Sequence, residues 1–305
     1  MGLLGLAAAG LWYGSQRALY PSWYEHRRPE QGLRPNPEFG LDPRADLGLD
    51  YEEVEFPAVD GSTLRGWLVP GAKGAPVGVA TVHGGGGDRR NFLPIVPFLH
   101  EAGYPVLLFD CREHGVSDGA GRGIGLAFRE RHDVSSAVSF LKHERGLARV
   151  AVIGTSMGGA SALLAAAADP SIDAVVAENP WTRVLDLARD TSLNDSQAPD
   201  AVLQLVRDAA VWRIGATGEP EPIDVVAAIS PRPLLLMHGT ADRIIPPAHS
   251  EQLYARAREP KALWLARDAR HGMLFDRHPG EYRERLLAFL ARWLGQPGAT
   301  PNSSR

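Results

Sequence analysis

One stretch, Val150-Ala151-Val152-Ile153-Gly154-Thr155-Ser156-Met157-Gly158-Gly159, constrains this chain more than any other. A β-branched apolar run ends at a serine flanked by glycines, and an alanine-rich segment, 160–168, follows at once. That order predicts strand, sharp turn, helix. The flanking glycines tolerate a close backbone approach that larger residues would block, and the serine hydroxyl is held beyond the sheet edge, as in a nucleophile elbow. Two other readings stand beside it. One is a tight turn before a well-packed helix. The other is a dinucleotide-binding fingerprint, but G-x-G-x-x-G needs glycine where Ser156 stands, and no acidic residue about 20 positions on ends a second apolar strand in the way that fingerprint expects. The choice rests on residues elsewhere.

The chain has 305 residues, enough for one large α/β domain. Its 44% hydrophobic and 22% charged content and net charge of −4 are those of an ordinary globular protein, and the lack of basic excess argues against a nucleic-acid partner. The single cysteine, Cys111, excludes an internal disulfide and a multi-cysteine metal site, and reads as a buried thiol.

Prolines at 21, 29, 35, 37 and 43 mark residues 20–49 as an irregular connector. Residues 52–57 and 64–70 alternate around Asp60-Gly61-Ser62, which predicts an antiparallel hairpin. The apolar run 77–82 predicts a strand buried on both faces, ending in His83-Gly84-Gly85-Gly86-Gly87-Asp88. Four successive glycines leave backbone N–H groups uncovered, as stabilisation of an oxyanion requires. A phosphate loop would end in G-K-[ST], whereas Asp88-Arg89-Arg90 follows here. A helix over 91–103, a strand over 105–109, a helix over 130–144 and a strand over 174–177 continue the alternation. From 182 to 229 strand signals stop and helical patterns take over, as in a cap above the strand ends. Trp181, Leu185, Leu203, Leu205 and Trp212 fit a packed mini-core there at least as well as ligand contacts. Strands resume over 234–239 and 262–265, and an amphipathic helix over 283–293 closes the alternation.

A serine hydroxyl needs an imidazole to take its proton, and the imidazole needs a carboxylate to fix its tautomer. Asp242 and His271 each follow a strand on the edge where Ser156 lies, and the order serine, acid, histidine matches strand-turn-helix hydrolases rather than the two best-known serine protease folds. Glu178, also at a strand end, is a lesser candidate for the acid. Asp110, His114 and His238 read as structural, and His143, His249 and His278 as surface residues. No H-E-x-x-H or similar grouping implies a metal, and no cofactor is expected.

The His83–Gly87 loop, the Asp110/His114-Gly115/Ser117 loop, Gly154-Thr155-Ser156-Met157-Gly158, the run P-L-L-L-M-H-G-T-A-D ending at Asp242, and His271-Gly272 together resemble the α/β-hydrolase superfamily over nearly all of residues 50–295. They are similar in particular to its serine-aminopeptidase-like and acyl-thioesterase-like branch. The resemblance implies an α/β, doubly wound, mostly parallel sheet with a small helical cap at about 182–229. It also implies an oxyanion hole formed by the amides of Met157 and Gly85, with Gly84 the alternative donor. The expected substrate is a small acyl ester or thioester, since no acidic cluster is evident to anchor a free amine. A peptidase on the same residues and a non-catalytic binding protein are the rival readings.

At the N-terminus, residues 2–14 are almost wholly apolar but fall short of the ~20 that span a bilayer. No basic residue precedes this run, whereas Arg17, Arg27 and Arg28 follow it, an asymmetry that would keep the catalytic domain on the cytoplasmic side. Segment 1–19 therefore reads as a short membrane anchor, as a helix packed on the body, or as the continuation of an upstream start. The Met-Gly start matches a myristoylation signal only partly, because Leu occupies position 6. Residues 296–305 are expected to form a disordered tail.

Overall fold

Among the described residues, the runs of apolar and alternating residues become eight strands: β1 (Glu52–Pro57), β2 (Thr63–Val69), β3 (Val77–Val82), β4 (Val106–Asp110), β5 (Arg149–Thr155), β6 (Ala174–Glu178), β7 (Leu234–Gly239) and β8 (Lys261–Ala266). They form a single sheet ordered β1-β2-β4-β3-β5-β6-β7-β8. β2 pairs antiparallel with both neighbours, and β3 to β8 are parallel throughout. The computed structural model describes residues 3–22, 24, 26–33, 40–190, 198–295 and 297. Most of the expected tail at 296–305, and residues 191–197 of the expected cap, lie outside them.

Eleven α-helices are described: α1 (Leu3–Leu19), α2 (Pro43–Leu47), α3 (Val96–Glu101), α4 (Glu130–Ser139), α5 (Met157–Ala168), α6 (Val184–Asp190), α7 (Asp200–Arg213), α8 (Pro222–Val225), α9 (Ala248–Arg256), α10 (Leu274–Arg277) and α11 (Pro279–Trp293). One face of the sheet is covered through Val138, Leu163 and Leu253, from α4, α5 and α9. The other is covered through Phe98, Leu274, Tyr282 and Leu286, from α3, α10 and α11. Because β3 to β6 are buried on both faces, their sequences are continuously apolar rather than alternating. Each fully buried leucine or valine contributes about 1.5–3 kcal/mol of transfer free energy.

The chain builds outward from β3 in both directions, so the loops after β3 and β5 diverge over a crevice at the centre of the sheet. β3 and β5 are direct neighbours, with Val82 opposite Gly154, which sets the glycine loop beside the serine turn. The approach of α5 is equally close. A Cβ at Gly158 would collide with the carbonyl of Val82, so only glycine fits this crossing.

A third apolar cluster sits above the strand ends and joins Met157 and Leu164 of α5 to Trp181, Val184, Val211 and Ile214. This is the expected cap, with a correction. Trp181 is buried, but Leu205 and Trp212 face solvent at 53% and 72% exposure, because α7 turns that side away from the body. The N-terminal segment forms α1, whose Leu19 enters the same cluster. Gly14 packs against Val206 of α7, and Arg213 bonds to Ser15 Oγ (3.0 Å) and Gln16 Oε1 (2.7 Å). No helix among the described residues is long and apolar enough to cross a membrane. The connector is less irregular than expected: it contains α2, and His26 bonds through Nε2 to the Ser117 carbonyl.

Candidate active site

Ser156 occupies the single residue between β5 and α5, at φ 55° and ψ −117°. A side chain rarely adopts a positive φ, and the turn is held from outside: the Ser156 amide donates to the Glu178 carbonyl at 2.8 Å. The hydroxyl is thereby presented to His271, whose Nε2 lies 3.0 Å from Ser156 Oγ. His271 Nδ1 in turn lies 2.7 Å from Asp242 Oδ2. Loops after three different strands thus bring Ser156, His271 and Asp242 into one hydrogen-bonded line.

Asp242 is the fixed end of that line. Its Oδ1 accepts the amides of Ile244 and Ile245, both at 2.9 Å, and its Oδ2 accepts Asn179 Nδ2 at 2.7 Å besides His271. Burial alone would push this carboxyl up. Nearby His238, His271 and the Ile245 amide outweigh it and hold Asp242 well below the usual carboxylate range. An ionised Asp242 accepts a hydrogen bond from His271 Nδ1–H and leaves Nε2 unprotonated to accept one from the serine hydroxyl. His238 is itself tied to Ser250 Oγ (2.7 Å) and the Ile245 carbonyl (2.8 Å), the structural role expected for it.

Glu178 stands apart from this line. Its side chain turns to the opposite face of the sheet and accepts a hydrogen bond from the Tyr282 hydroxyl. Burial, only partly offset by Tyr282, pushes its carboxyl up to about 7. The next residue, Asn179, reaches Asp242 instead, through a backbone at φ 48°. Sequence reasoning passed over Asn179. The available signal was its position at the end of β6, on the edge shared by the other site residues. His249 also departs from expectation: it is buried, with Nδ1 3.1 Å from the Thr182 amide, where it pins the start of the cap.

On the other side of Ser156, the glycine loop is shaped by two histidines. The Cys111 amide donates to His83 Nε2 at 3.0 Å, so His83 carries its proton on Nδ1 and donates to the Gly84 carbonyl at 2.8 Å. Burial, reinforced by adjacent His114, pushes His83 down to about 4, which keeps the ring neutral. The Gly84 carbonyl also accepts the Gly87 amide at 3.0 Å. The peptide between Gly84 and Gly85 is therefore gripped by its carbonyl, which aims the Gly85 N–H the opposite way. His114 Nε2 lies 3.0 Å from the Gly85 carbonyl and fixes the following peptide. Gly84 is a poorer donor to a ligand, because its amide already bonds Asn91 Oδ1 at 3.1 Å. Met157 is the first residue of α5, where the helix leaves amides without intrahelical acceptors.

Asp110 is structural as expected. It accepts the amides of Arg89 (2.7 Å) and Val116 (2.9 Å) and pairs with the Arg89 guanidinium, which closes its loop. Cys111 is buried, and burial pushes its thiol well up. Among the described residues, no three His, Cys, Asp or Glu side chains are grouped to hold a metal ion.

Comparison with known proteins places the fold in a family. Residues 79–219 match the α/β-hydrolase fold family, and residues 223–278 match the serine aminopeptidase family S33. The YfhR protein of Escherichia coli strain K12 is 34% identical over 248 residues, covering 78% of this chain and 80% of that protein. The thiohydrolase aneE of Aspergillus aculeatus is 28% identical over 199 residues, 62% of this chain and 60% of its own. Among solved structures, the Pyrococcus furiosus esterase Pf2001 superposes with a TM-score of 0.68 at 28% identity, over 84% of this chain and 97% of that one. A family match across both halves of the domain and a relative above 30% identity over most of its length fix the assignment: the chain belongs to the α/β-hydrolase superfamily and is a hydrolase.

Proposed function

We propose that this hydrolase cleaves carboxylic ester or thioester bonds of small acyl substrates, with Ser156 as nucleophile, His271 as acid and base, and Asp242 as the residue that orients His271. The observation that carries the reading is the unbroken line from Ser156 Oγ through His271 to Asp242, at 3.0 Å and 2.7 Å. As Oγ attacks the acyl carbonyl, its proton passes to His271 Nε2. The carbonyl oxygen becomes an oxyanion facing the Gly85 and Met157 amides. Collapse of the intermediate expels the alcohol or thiol, which takes the proton from His271, and leaves an acyl-enzyme. Water then repeats the cycle: His271 takes its proton, hydroxide adds to the acyl group, and Ser156 departs with that proton.

An acyl substrate is supported by two exposed apolar side chains, Ile244 and Met273, each two residues along the chain from Asp242 or His271. The thiohydrolase and esterase names among the relatives point the same way. A peptidase on the same residues is favoured by the match of 223–278 to the serine aminopeptidase family. Its weakness is that neither acid at the ends of β6 and β7 is free for a substrate amine: Glu178 faces Tyr282, and Asp242 is occupied by four donors.

The test is labelling with a fluorophosphonate, followed by turnover of p-nitrophenyl esters, thioesters and aminoacyl-arylamides. Wild-type protein labels and turns over esters or thioesters, while Ser156→Ala and His271→Ala do neither. Labelling that persists in folded Ser156→Ala overturns the assignment, and preference for arylamides replaces it with the peptidase.

A further inference from the structure

The outer surface of the cap has the wrong polarity for a face that meets only water. Of the described residues, the exposed large apolar side chains include Trp12 (60%), Tyr13 (63%), Val202, Leu205 and Trp212. All five lie on α1 and α7. The exposed residues of α7 are Asp200, Ala201, Val202, Leu205, Asp208 and Trp212, and their two charges are paired, Asp200 with Arg189 and Asp208 with Arg207. Such a stripe on an ordinary surface helix is polar. On α1 the exposed residues from 8 to 13 are Ala8, Ala9, Gly10, Trp12 and Tyr13, with no charge before Arg17. The two helices pack together, and Arg213, next to Trp212, lies with its guanidinium 4.0 Å over the Trp12 ring. The stripes therefore belong to one surface of the cap, too extensive to be isolated exposed apolar residues.

We propose that the α1 and α7 pair is a docking surface for a lipid bilayer, which the protein meets from one side without crossing it. Three observations select lipid as the occupant. Trp and Tyr are the side chains that favour the headgroup boundary, where a ring can be half apolar and half wet. α1 contains no acidic residue and presents Arg17 to solvent beside its apolar stripe, which suits anionic headgroups, and the exposed acids of α7, Asp200 and Asp208, are neutralised by Arg189 and Arg207. And among the described residues no helix, α1 included, is long and apolar enough to cross a membrane, while the inner side of α1 is already committed to the cap through Leu19, Ser15 and Gly14. A helix so committed offers its outer face to the interface plane. The cap cluster under this surface contains Met157, so docking would set the roof of the site against the membrane. The inference does not depend on what Ser156 does.

The experiment is flotation of purified full-length protein with phosphatidylcholine vesicles, with and without phosphatidylglycerol, beside Trp12→Ser, Tyr13→Ser, Leu205→Glu and Trp212→Glu. Turnover of a soluble short-chain ester is followed in the same preparations. The wild type floats, and more strongly with phosphatidylglycerol. Variants on either helix lose at least about tenfold in vesicle partition while keeping ester turnover, because each removes a large apolar group from the interface. Ser156→Ala floats as the wild type does, so loss of catalysis and loss of docking are read separately. A wild type that stays unfloated with both vesicle types overturns the proposal. So do variants that float undiminished, or a lipid-free dimer, seen by sedimentation equilibrium, that Leu205→Glu dissociates.

Discussion

The carboxyl ends of β6 and β7 lie side by side, and each carries a buried carboxylate, yet the two acids exist in opposite conditions. Asp242 accepts four hydrogen bonds and is held ionised. Glu178 accepts one, from Tyr282, and is pushed up to about 7. Burial opposes the charge on both, so the groups around each decide between them: His238 and His271, with the Ile245 amide, outweigh burial at Asp242, and Tyr282 alone does not at Glu178. The donors follow from position. Glu178 is still inside the ladder, between Thr155 and Met237, where neighbouring amides are consumed by strand pairing. Asp242 lies three residues beyond β7 in a turn, and the turn points the amides of Ile244 and Ile245 at its carboxylate. Strand residues supply few amides to a charge, whereas turn residues supply several.

The largest expected effect separates the two acids directly. Asp242→Asn should lower kcat by about 10⁴-fold, because an amide presents the wrong partner to His271 Nδ1, while Glu178→Gln leaves kcat near the wild-type value. Comparable losses in both variants would break the contrast. Next comes stability. Folded Glu178 keeps its proton up to about pH 7, whereas a free glutamate releases it near 4.5, so stability should fall as pH rises between those values, by on the order of 3 kcal/mol. Urea titrations at several pH values should show that slope in the wild type, and Glu178→Gln should flatten it. Tyr282→Phe should cost about 1–3 kcal/mol above pH 7, where it strands a buried carboxylate, and less at pH 5, where the acid is neutral. The smallest effect sharpens the Asp242 side: Asn179→Ala removes one of four donors and should reduce kcat by about tenfold with KM little changed. An unchanged kcat would show that the two backbone amides and His271 suffice.

Much of this was legible in the sequence because it depends on local patterns. The strand, the glycine-flanked Ser156 and the small-residue helix after it form one consecutive signal, and the structure places β5, the turn and α5 there. The hairpin, the buried β3 and the glycine loop likewise appear where the residues foretold them. The cap was legible as a gap between strand signals, but its faces were not. Leu205 and Trp212 follow the periodicity of a packed helix, and a helical stripe shows which residues share a side without showing whether that side meets the core or the solvent. His249 failed in the opposite direction, since a histidine on an amphipathic helix does not reveal that Thr182 waits to bond it.

The sequence by itself determined the parallel sheet, the serine turn and the chain order of Ser156, Asp242 and His271, because short-range sterics and side-chain period act over a few residues. Only the tertiary structure decided which acid faces His271, which glycine amide is left free, and that the N-terminal helix lies on the cap with its aromatic residues outward. Those outcomes depend on strand order and on donors from loops far apart in the chain. Direction across a sheet and access to a donor exist only once the sheet is assembled.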